Sequence, residues 1–101
     1  MQTLLPYGLN EQDEQTIFGI FKKYPEVENV LIFGSRAKGV FHNGSDIDLA
    51  IDGDHVTFKT LQQIKSDFEE SSLPYRVDLF DMQRIEHVAL KEHIQRVGKN
   101  I

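Results

Sequence analysis

Cysteine is absent from this chain of 101 residues. No disulfide can therefore form and no thiolate is available to bind zinc, which suits a protein of a reducing compartment. Long apolar runs are missing too, because no stretch approaches the roughly 20 residues of a membrane helix. The N-terminus lacks the basic segment and the long apolar stretch of a signal peptide. We therefore expect a cytoplasmic protein that has no membrane partner.

Basic residues are scarce. The 11 Lys and Arg residues are outnumbered by 16 Asp and Glu residues, which gives a formal net charge of -5 at pH 7. Proteins bind nucleic acids largely through contacts between basic side chains and phosphates, so this balance argues against nucleic acid as a direct partner. With 40% hydrophobic residues, the chain can bury one core and has no length for a second. We predict a single domain over residues 1–101.

Apolar residues recur at helical spacing in some segments and at strand spacing in others. The helical pattern predicts helices at about 10–24, 36–38, 56–70 and 81–98, with Asn10 and Asp81 as N-terminal caps. Short runs of β-favouring residues predict strands at about 30–33, 45–51 and 75–80. The expected fold is therefore α+β in the order αβαβαβα, with one mixed sheet that carries helices on one face and acidic side chains on the other. His87 and His93 are expected on the surface of the last helix.

Two acidic residues, Asp46 and Asp48, alternate with Ile47 and Leu49 in the second predicted strand. Successive side chains of a strand point to opposite faces, so both acids lie on the face away from the apolar residues. Neighbouring carboxylates on one face repel each other. A hard cation such as Mg²⁺ relieves this repulsion, and carboxylate oxygens are among its usual ligands. The acid pair therefore indicates a metal site.

A Gly-Ser pair follows the first predicted strand. Gly34 permits a close approach of the backbone to a ligand, and Ser35 is expected to offer its hydroxyl group and to cap the short helix that follows. Free N–H groups at a helix start attract phosphate, and Arg36 and Lys38 add positive charge beside them. Together these residues predict a cradle for the phosphates of a nucleotide.

A third acid, Asp78, alternates with Val77 and Leu79 in the last predicted strand. If this strand pairs beside the strand of Asp46 and Asp48, all three carboxylates share one face of the sheet. Two metal ions about 3.5–4 Å apart can then share them. One ion would carry the triphosphate of a nucleotide, and the other would lower the pKa of an incoming hydroxyl group.

The three motifs together resemble the signature of a known family. Gly-Ser-Arg-Ala-Lys-Gly at 34–39, Gly-Ser-Asp-Ile-Asp-Leu-Ala-Ile at 44–51 and Arg-Val-Asp-Leu at 76–79 are similar to motifs of the polymerase-beta-type nucleotidyltransferases, and among them of the minimal nucleotidyltransferases of prokaryotes. The resemblance implies a small nucleotidyltransferase fold and two Mg²⁺ ions as cofactors. The catalytic, metal-binding residues that we predict are Asp46, Asp48 and Asp78. The nucleotide-binding residues that we predict are Gly34, Ser35, Arg36, Lys38 and Ser45.

The resemblance also implies a reaction and a partner. Minimal members of the family are antitoxins of small all-helical HEPN proteins, and they inactivate some of these by adding AMP to a tyrosine. We therefore expect transfer of a nucleoside monophosphate, AMP from ATP, to a hydroxyl group of such a partner protein. Two other interpretations stay open. One is a subunit of a nucleotidyltransferase that modifies small molecules such as aminoglycosides, and the other is a non-catalytic module that binds a nucleotide or a partner.

Overall fold

The computed structural model of the protein describes residues 3–101, so residues 1 and 2 of the predicted domain lie outside the described residues. A short 3-10 helix at Leu5–Tyr7 precedes the regular elements. The four α-helices are α1 (Glu11–Phe21), α2 (Gly34–Lys38), α3 (Phe58–Glu70) and α4 (Val88–Val97). The four strands are β1 (Asn29–Phe33), β2 (Ile47–Asp52), β3 (Val77–Asp81) and β4 (Lys99–Asn100). None of the helices within residues 3–101 has the length and the apolar content to cross a membrane.

The first helix begins where the sequence predicts it. The side chain of Asn10 accepts a hydrogen bond from the backbone N–H of Asp13, and the Asp13 carboxylate accepts one from the N–H of Asn10, which forms a capping box. The predicted end at Tyr24 is wrong by three residues. Hydrogen bonds from Lys23 N–H to Ile20 and from Tyr24 N–H to Phe21 tighten the chain into turns after Phe21.

The last helix begins later than predicted, because Asp81 ends β3 instead of capping α4. The Asp81 carboxylate accepts a hydrogen bond from the backbone N–H of Gln83 and pairs with Arg84, so this segment forms a turn. His87 caps α4, and its Nδ1 accepts the N–H of Leu90. A short acidic residue suits a turn as well as a cap, which is why the sequence pattern alone gave the wrong start.

The sheet is mixed, as predicted, and its strand order is β3-β2-β1-β4. Strand β1 lies antiparallel to both β2 and β4, and β3 lies parallel to β2. The α+β fold class is confirmed. Strand β4 was not predicted, because it has only two residues and is defined by its pairing with Leu31 and Ile32.

Both faces of the sheet are covered, which corrects the prediction that all helices lie opposite the acids. On one face, α1 and α3 pack over a large apolar cluster that includes Ile47, Leu49 and Ile51 of β2. On the other face, α4 packs through the buried Ile94 against Phe33 and Ala50. The acid face carries apolar residues along part of its surface, and burying them requires a helix there. The acids therefore lie on the part of that face beside α4.

Candidate active site

The sheet register brings two of the predicted acids side by side. Asp48 of β2 pairs with Asp78 of the parallel strand β3, and on its other side Asp48 pairs with Phe33 of β1. Neighbouring strands lie about 4.8 Å apart, and directly paired residues project from the same face. The two carboxylates therefore belong to one site, as the sequence predicts. Their roles as metal ligands stay a prediction.

Asp46 stands at the entrance of this site. It is exposed and directly precedes the first residue of β2, Ile47. The N–H of Ile47 donates to the carbonyl of Arg76 at 2.9 Å, which fixes the start of β2 against the chain that leads into β3. Asp46 thus lies at the solvent-facing end of the site, two residues before Asp48.

Negative charge accumulates at Asp48. Burial, then the nearby carboxylate of Asp78, then that of Asp46 raise the pKa of Asp48 from its usual 3.8 to about 6. All three causes penalise the ionised carboxylate. A bound divalent cation would reverse their effect, because it favours the ionised form. The charge at this position therefore fits a metal ion in sign and in ligand type.

The carboxylates do not form a complete metal cage in this conformation. Across residues 3–101, no three His, Asp or Glu side chains are grouped closely enough to surround an ion. Arg76 also engages the third acid, since its Nε donates to Asp78 Oδ1 at 3.2 Å. Arg76 is largely exposed, and exposed ion pairs are weak. A metal ion that binds at Asp48 therefore competes only with the weak Arg76 ion pair for the Asp78 carboxylate.

Gly34 is placed where any other residue would be strained. Its backbone has φ +72°, a conformation that favours glycine, and a Cβ atom at this position would collide with the Asp48 carboxylate. The phosphate-binding motif and the acid motif of the sequence are thus in direct contact. Ser35 is the second residue of α2 and is half-buried, and Phe33 occupies the N-cap position. The prediction that Ser35 caps the helix is therefore wrong, and its hydroxyl group has no capping role.

Two of the predicted phosphate-binding side chains differ sharply in exposure. Lys38 is exposed at the end of α2, three residues after Ser35 and thus on the same side of the helix. Arg36 is only 2% exposed, and its guanidinium group donates to the carbonyl groups of Ser45 and Tyr7. The structure gives Arg36 a structural role, which differs from the phosphate contact that the sequence predicts.

Ser45 also serves the local structure. Its hydroxyl oxygen accepts the backbone N–H of His42 at 2.8 Å and so closes the turn that precedes Asp46. Its carbonyl group accepts two hydrogen bonds from Arg36. A contact between Ser45 and a nucleotide stays a prediction.

A pair of aromatic rings lies beside the acids, and the sequence pattern did not single it out. Phe33 pairs with Asp48 and Phe80 pairs with Ala50 on opposite sides of β2, so the two side chains are diagonal neighbours across this strand, and their ring centroids are 5.7 Å apart. Ala50 is buried in the same apolar cluster as both rings. The ring of His93 stands edge-on to Phe33 at 6.3 Å, and His93 is half-buried. His93 is thus only partly at the surface, whereas His87 is exposed as predicted.

Comparison with known proteins places the chain in a family. Residues 15–101 match the family model described as "Polymerase beta, Nucleotidyltransferase". The chain belongs to this nucleotidyltransferase family. The resemblance inferred from the sequence motifs is thus confirmed over most of the chain.

A curated relative carries a more specific name. Over 53 residues the chain is 47% identical to "Probable protein adenylyltransferase MntA" of Haemophilus influenzae strain Rd. The aligned part is 52% of this chain and 46% of that protein, so the chain spans about half the length of this relative.

Solved structures share the fold. One is a toxin-antitoxin structure with AMP-PNP, which matches with a TM-score of 0.72 and 26% identity over 91% of this chain and 72% of the other. Another is a complex of a tri-AMPylated Shewanella oneidensis HEPN toxin with an MNT antitoxin, with a TM-score of 0.67 and 20% identity over 91% of this chain and 71% of the other. Both matches cover nearly the whole nucleotidyltransferase fold, so the predicted small nucleotidyltransferase fold is confirmed.

Proposed function

We propose that this nucleotidyltransferase transfers AMP from ATP to a hydroxyl group of a partner protein. The observation that carries the proposal is the direct pairing of Asp48 with Asp78, with Gly34 packed against the Asp48 carboxylate. The name of the Haemophilus influenzae relative, a protein adenylyltransferase, supports the choice of AMP and of a protein acceptor. The similarity to a toxin-antitoxin structure with AMP-PNP supports the same choice of nucleotide.

The three acids would hold divalent metal in this reaction. We propose two Mg²⁺ ions, held by Asp46, Asp48 and Asp78. When bound, Mg²⁺ would neutralise phosphate charge and lower the pKa of the acceptor hydroxyl group. The raised pKa of Asp48 supports this assignment, because burial and then the carboxylates of Asp78 and Asp46 penalise the ionised form, which a bound cation would favour.

Other residues of the site would bind the phosphates, neutralise charge and accept the hydroxyl proton. The backbone at Gly34 and the hydroxyl group of Ser35 would bind the β- and γ-phosphates, and the exposed Lys38 would neutralise charge on the leaving pyrophosphate. The acceptor oxygen would attack the α-phosphorus, the bond from this phosphorus to the bridging oxygen of pyrophosphate would break, and Asp78 would receive the hydroxyl proton. The product is an AMP ester of the acceptor together with pyrophosphate.

Space for the acceptor lies next to Asp78. Strand β3 is an edge strand of the sheet, so one side of it pairs with no other strand among residues 3–101. A cavity of about 480 Å³ opens along the outer edge of this strand, and its walls include Asp78 and Phe80 of β3 together with Lys65 and Phe68 of α3. The cavity is large enough for an aromatic side chain. The partner would therefore supply its hydroxyl group from the outer side of β3.

We propose that the partner is a small all-helical protein of the HEPN type and that the chain acts as its antitoxin. A partner would help to position the acceptor, because holding two reactants together requires contacts on both. The net charge of -5 would favour encounter with a basic, RNA-handling surface. A cytoplasmic location, expected from the sequence, stays a prediction.

Intact mass measurement tests the proposed function directly. The chain is co-expressed with the product of the neighbouring gene, and the purified complex is incubated with ATP and Mg²⁺. We expect the partner to gain whole AMP units, and we expect this gain to be lost in Asp48→Asn. The matched control is Glu92→Gln, which removes one acidic charge from the exposed side of α4 and should leave the gain intact.

The other outcomes separate the remaining interpretations. A stable complex with no mass gain would favour a module that masks its partner without catalysis. No complex, together with labelling of an aminoglycoside by radioactive ATP, would favour a small-molecule nucleotidyltransferase. Either result would overturn the proposed transfer to protein.

A further inference from the structure

Arg36 is the least exposed charged residue within residues 3–101, and the proposed reaction does not use it. Only 2% of this residue is exposed. Burying a cation costs several kcal/mol unless its donors are satisfied. A residue that carries this cost in a domain of 101 residues needs a compensating role, and its contacts indicate which one.

All donors for which the structure shows a partner point at backbone carbonyl groups. Nε and Nη2 donate to Ser45 O at 3.2 and 2.8 Å, and Nη1 donates to Tyr7 O at 2.8 Å. The guanidinium carbon also lies 5.3 Å from the centre of the Phe41 ring and 4.7 Å from that of Tyr75. A planar guanidinium group can make a two-pronged hydrogen bond and stack on rings at the same time, and an ammonium group cannot.

These contacts join every segment that carries a group of the proposed site. Arg36 itself follows the phosphate-binding Ser35. Ser45 directly precedes Asp46, and Tyr75 lies three residues before Asp78. Tyr7 belongs to the N-terminal 3-10 helix, so Arg36 also connects that helix to these segments. One guanidinium group therefore fixes the phosphate motif, the acid pair and the third acid relative to one another.

We propose that Arg36 is a positioning residue of the active site, one that holds Asp46 and Asp78 in register with Ser35 without touching the nucleotide. This proposal depends on the proposed function only for its prediction about the rate of AMP transfer. Displacing reacting groups by about 1 Å can reduce a rate about 100-fold. Loss of the Arg36 contacts should therefore reduce kcat strongly and change KM for ATP little.

The test compares Arg36→Met and Arg36→Lys with Arg96→Met, an exposed arginine in the last turn of α4. For both Arg36 variants we expect kcat for AMP transfer to fall at least 30-fold and KM for ATP to change less than threefold. Lysine should not restore kcat, because its ammonium group keeps the positive charge but cannot make the two-pronged hydrogen bond to Ser45 O. Arg96→Met should behave as the unchanged protein. A large rise in KM that lysine reverses would instead show direct phosphate binding and overturn the proposal.

Two measurements without turnover complete the test. Hydrogen exchange should accelerate in segments 4–8 and 41–47 of Arg36→Met while the amides of α1 and α3 keep their protection. The affinity of the acid site for Mn²⁺ alone, followed by electron paramagnetic resonance, should fall at least tenfold. If the unchanged protein transfers no AMP, the proposed function fails, and these two measurements still decide the role of Arg36.

A milder variant guards against a failure to fold. Phe41→Leu removes one of the two rings that stack on Arg36 and keeps its hydrogen-bond partners. We expect the same pattern at smaller amplitude, with kcat reduced about three- to tenfold. Unchanged Mn²⁺ affinity and unchanged exchange at 41–47 in both Phe41→Leu and a folded Arg36→Met would overturn the proposal.

Discussion

Replacing Asp48 by asparagine should stabilise the metal-free protein, although it removes a residue that we place at the centre of the active site. The pKa of Asp48 is raised from 3.8 to about 6. The folded state therefore binds the Asp48 proton more tightly than the unfolded chain does, and ionising Asp48 costs the folded state free energy. Asparagine is close in size and carries no charge, so Asp48→Asn removes this cost.

The magnitude follows from the size of the shift. One pKa unit corresponds to about 1.4 kcal/mol, so the shift sets an upper limit of about 3 kcal/mol. Because Asp48 is in part accessible to solvent, screening reduces the expected gain to about 1–2 kcal/mol. For a domain of this size, this corresponds to a rise in Tm of about 5–15 °C in the presence of a chelator at pH 7.5.

The pH dependence has a definite sign. Below pH 3.8, Asp48 is protonated in the folded and the unfolded chain, so the two proteins should be about equally stable. The advantage of Asp48→Asn should grow as the pH rises from about 4 to about 6 and stay constant above that range. Thermal melts between pH 4 and pH 8 measure this, with Glu92→Gln as the control for a general loss of negative charge.

Two results would refute this reasoning. One is a gain in Tm that does not depend on pH, because that would come from packing or from net charge. The other is an Asp48→Asn protein less stable than the parent at pH 7.5, because the carboxylate would then be stabilised by a partner that the structure does not show.

Further predictions concern the same site. Mg²⁺ at millimolar concentration should raise the Tm of the parent protein and leave that of Asp48→Asn nearly unchanged, which thermal melts can check. Ser35→Ala should weaken the binding of AMP-PNP and Mg²⁺ at least fivefold in a calorimetric titration, with a loss of stability below about 0.5 kcal/mol because Ser35 does not cap α2. Gly34→Ala should cost about 1–3 kcal/mol in denaturant unfolding and abolish transfer, since its φ of +72° and the adjacent Asp48 carboxylate both exclude a Cβ atom. Ala50→Val adds two methyl groups to the buried cluster that contains Phe33 and Phe80 and should cost about 1–3 kcal/mol in denaturant unfolding.

The position of the acids could be predicted because a strand has a strict period of two. Ile47 and Leu49 must enter the core, so Asp48 must lie on the opposite face, whereas Asp46 directly precedes the strand and its position depends on the turn before it. The same rule places Asp78 opposite Leu79. Only the pairing of β3 with β2 had to be assumed, and the register of Asp48 with Asp78 confirms it.

The helix over the second face of the sheet had a signal in the sequence. Strand β1 is apolar at four consecutive positions, from Val30 to Phe33. A strand with one solvated face alternates, and a strand that is apolar on both sides is typical of a sheet covered on both faces. The run therefore indicated a helix over Phe33, and α4 is that helix.

The burial of Arg36 had no comparable signal. Its hydrogen-bond partners are the carbonyl groups of Tyr7 and Ser45, which lie 29 and 9 residues away. Every residue has a carbonyl group, so side-chain identity carries no information about such a contact. An arginine beside a Gly-Ser phosphate motif therefore suggested a phosphate ligand, and only the tertiary structure shows it facing the interior.

The candidate active site thus combines the carboxylate of Asp48, whose ionisation costs free energy, with neighbouring contacts that hold it in place. Asp48 is ionised against burial and against Asp78, which opposes folding in the absence of metal. Gly34 lets the backbone of α2 approach this carboxylate, and Arg36 ties the turn before Asp46 to the same helix. These contacts hold the backbone around Asp48, so a bound cation would relieve the electrostatic cost once Arg76 releases Asp78. Metal binding and folding stability should therefore be coupled through Asp48, and a protein with a flexible acid loop would not show that coupling.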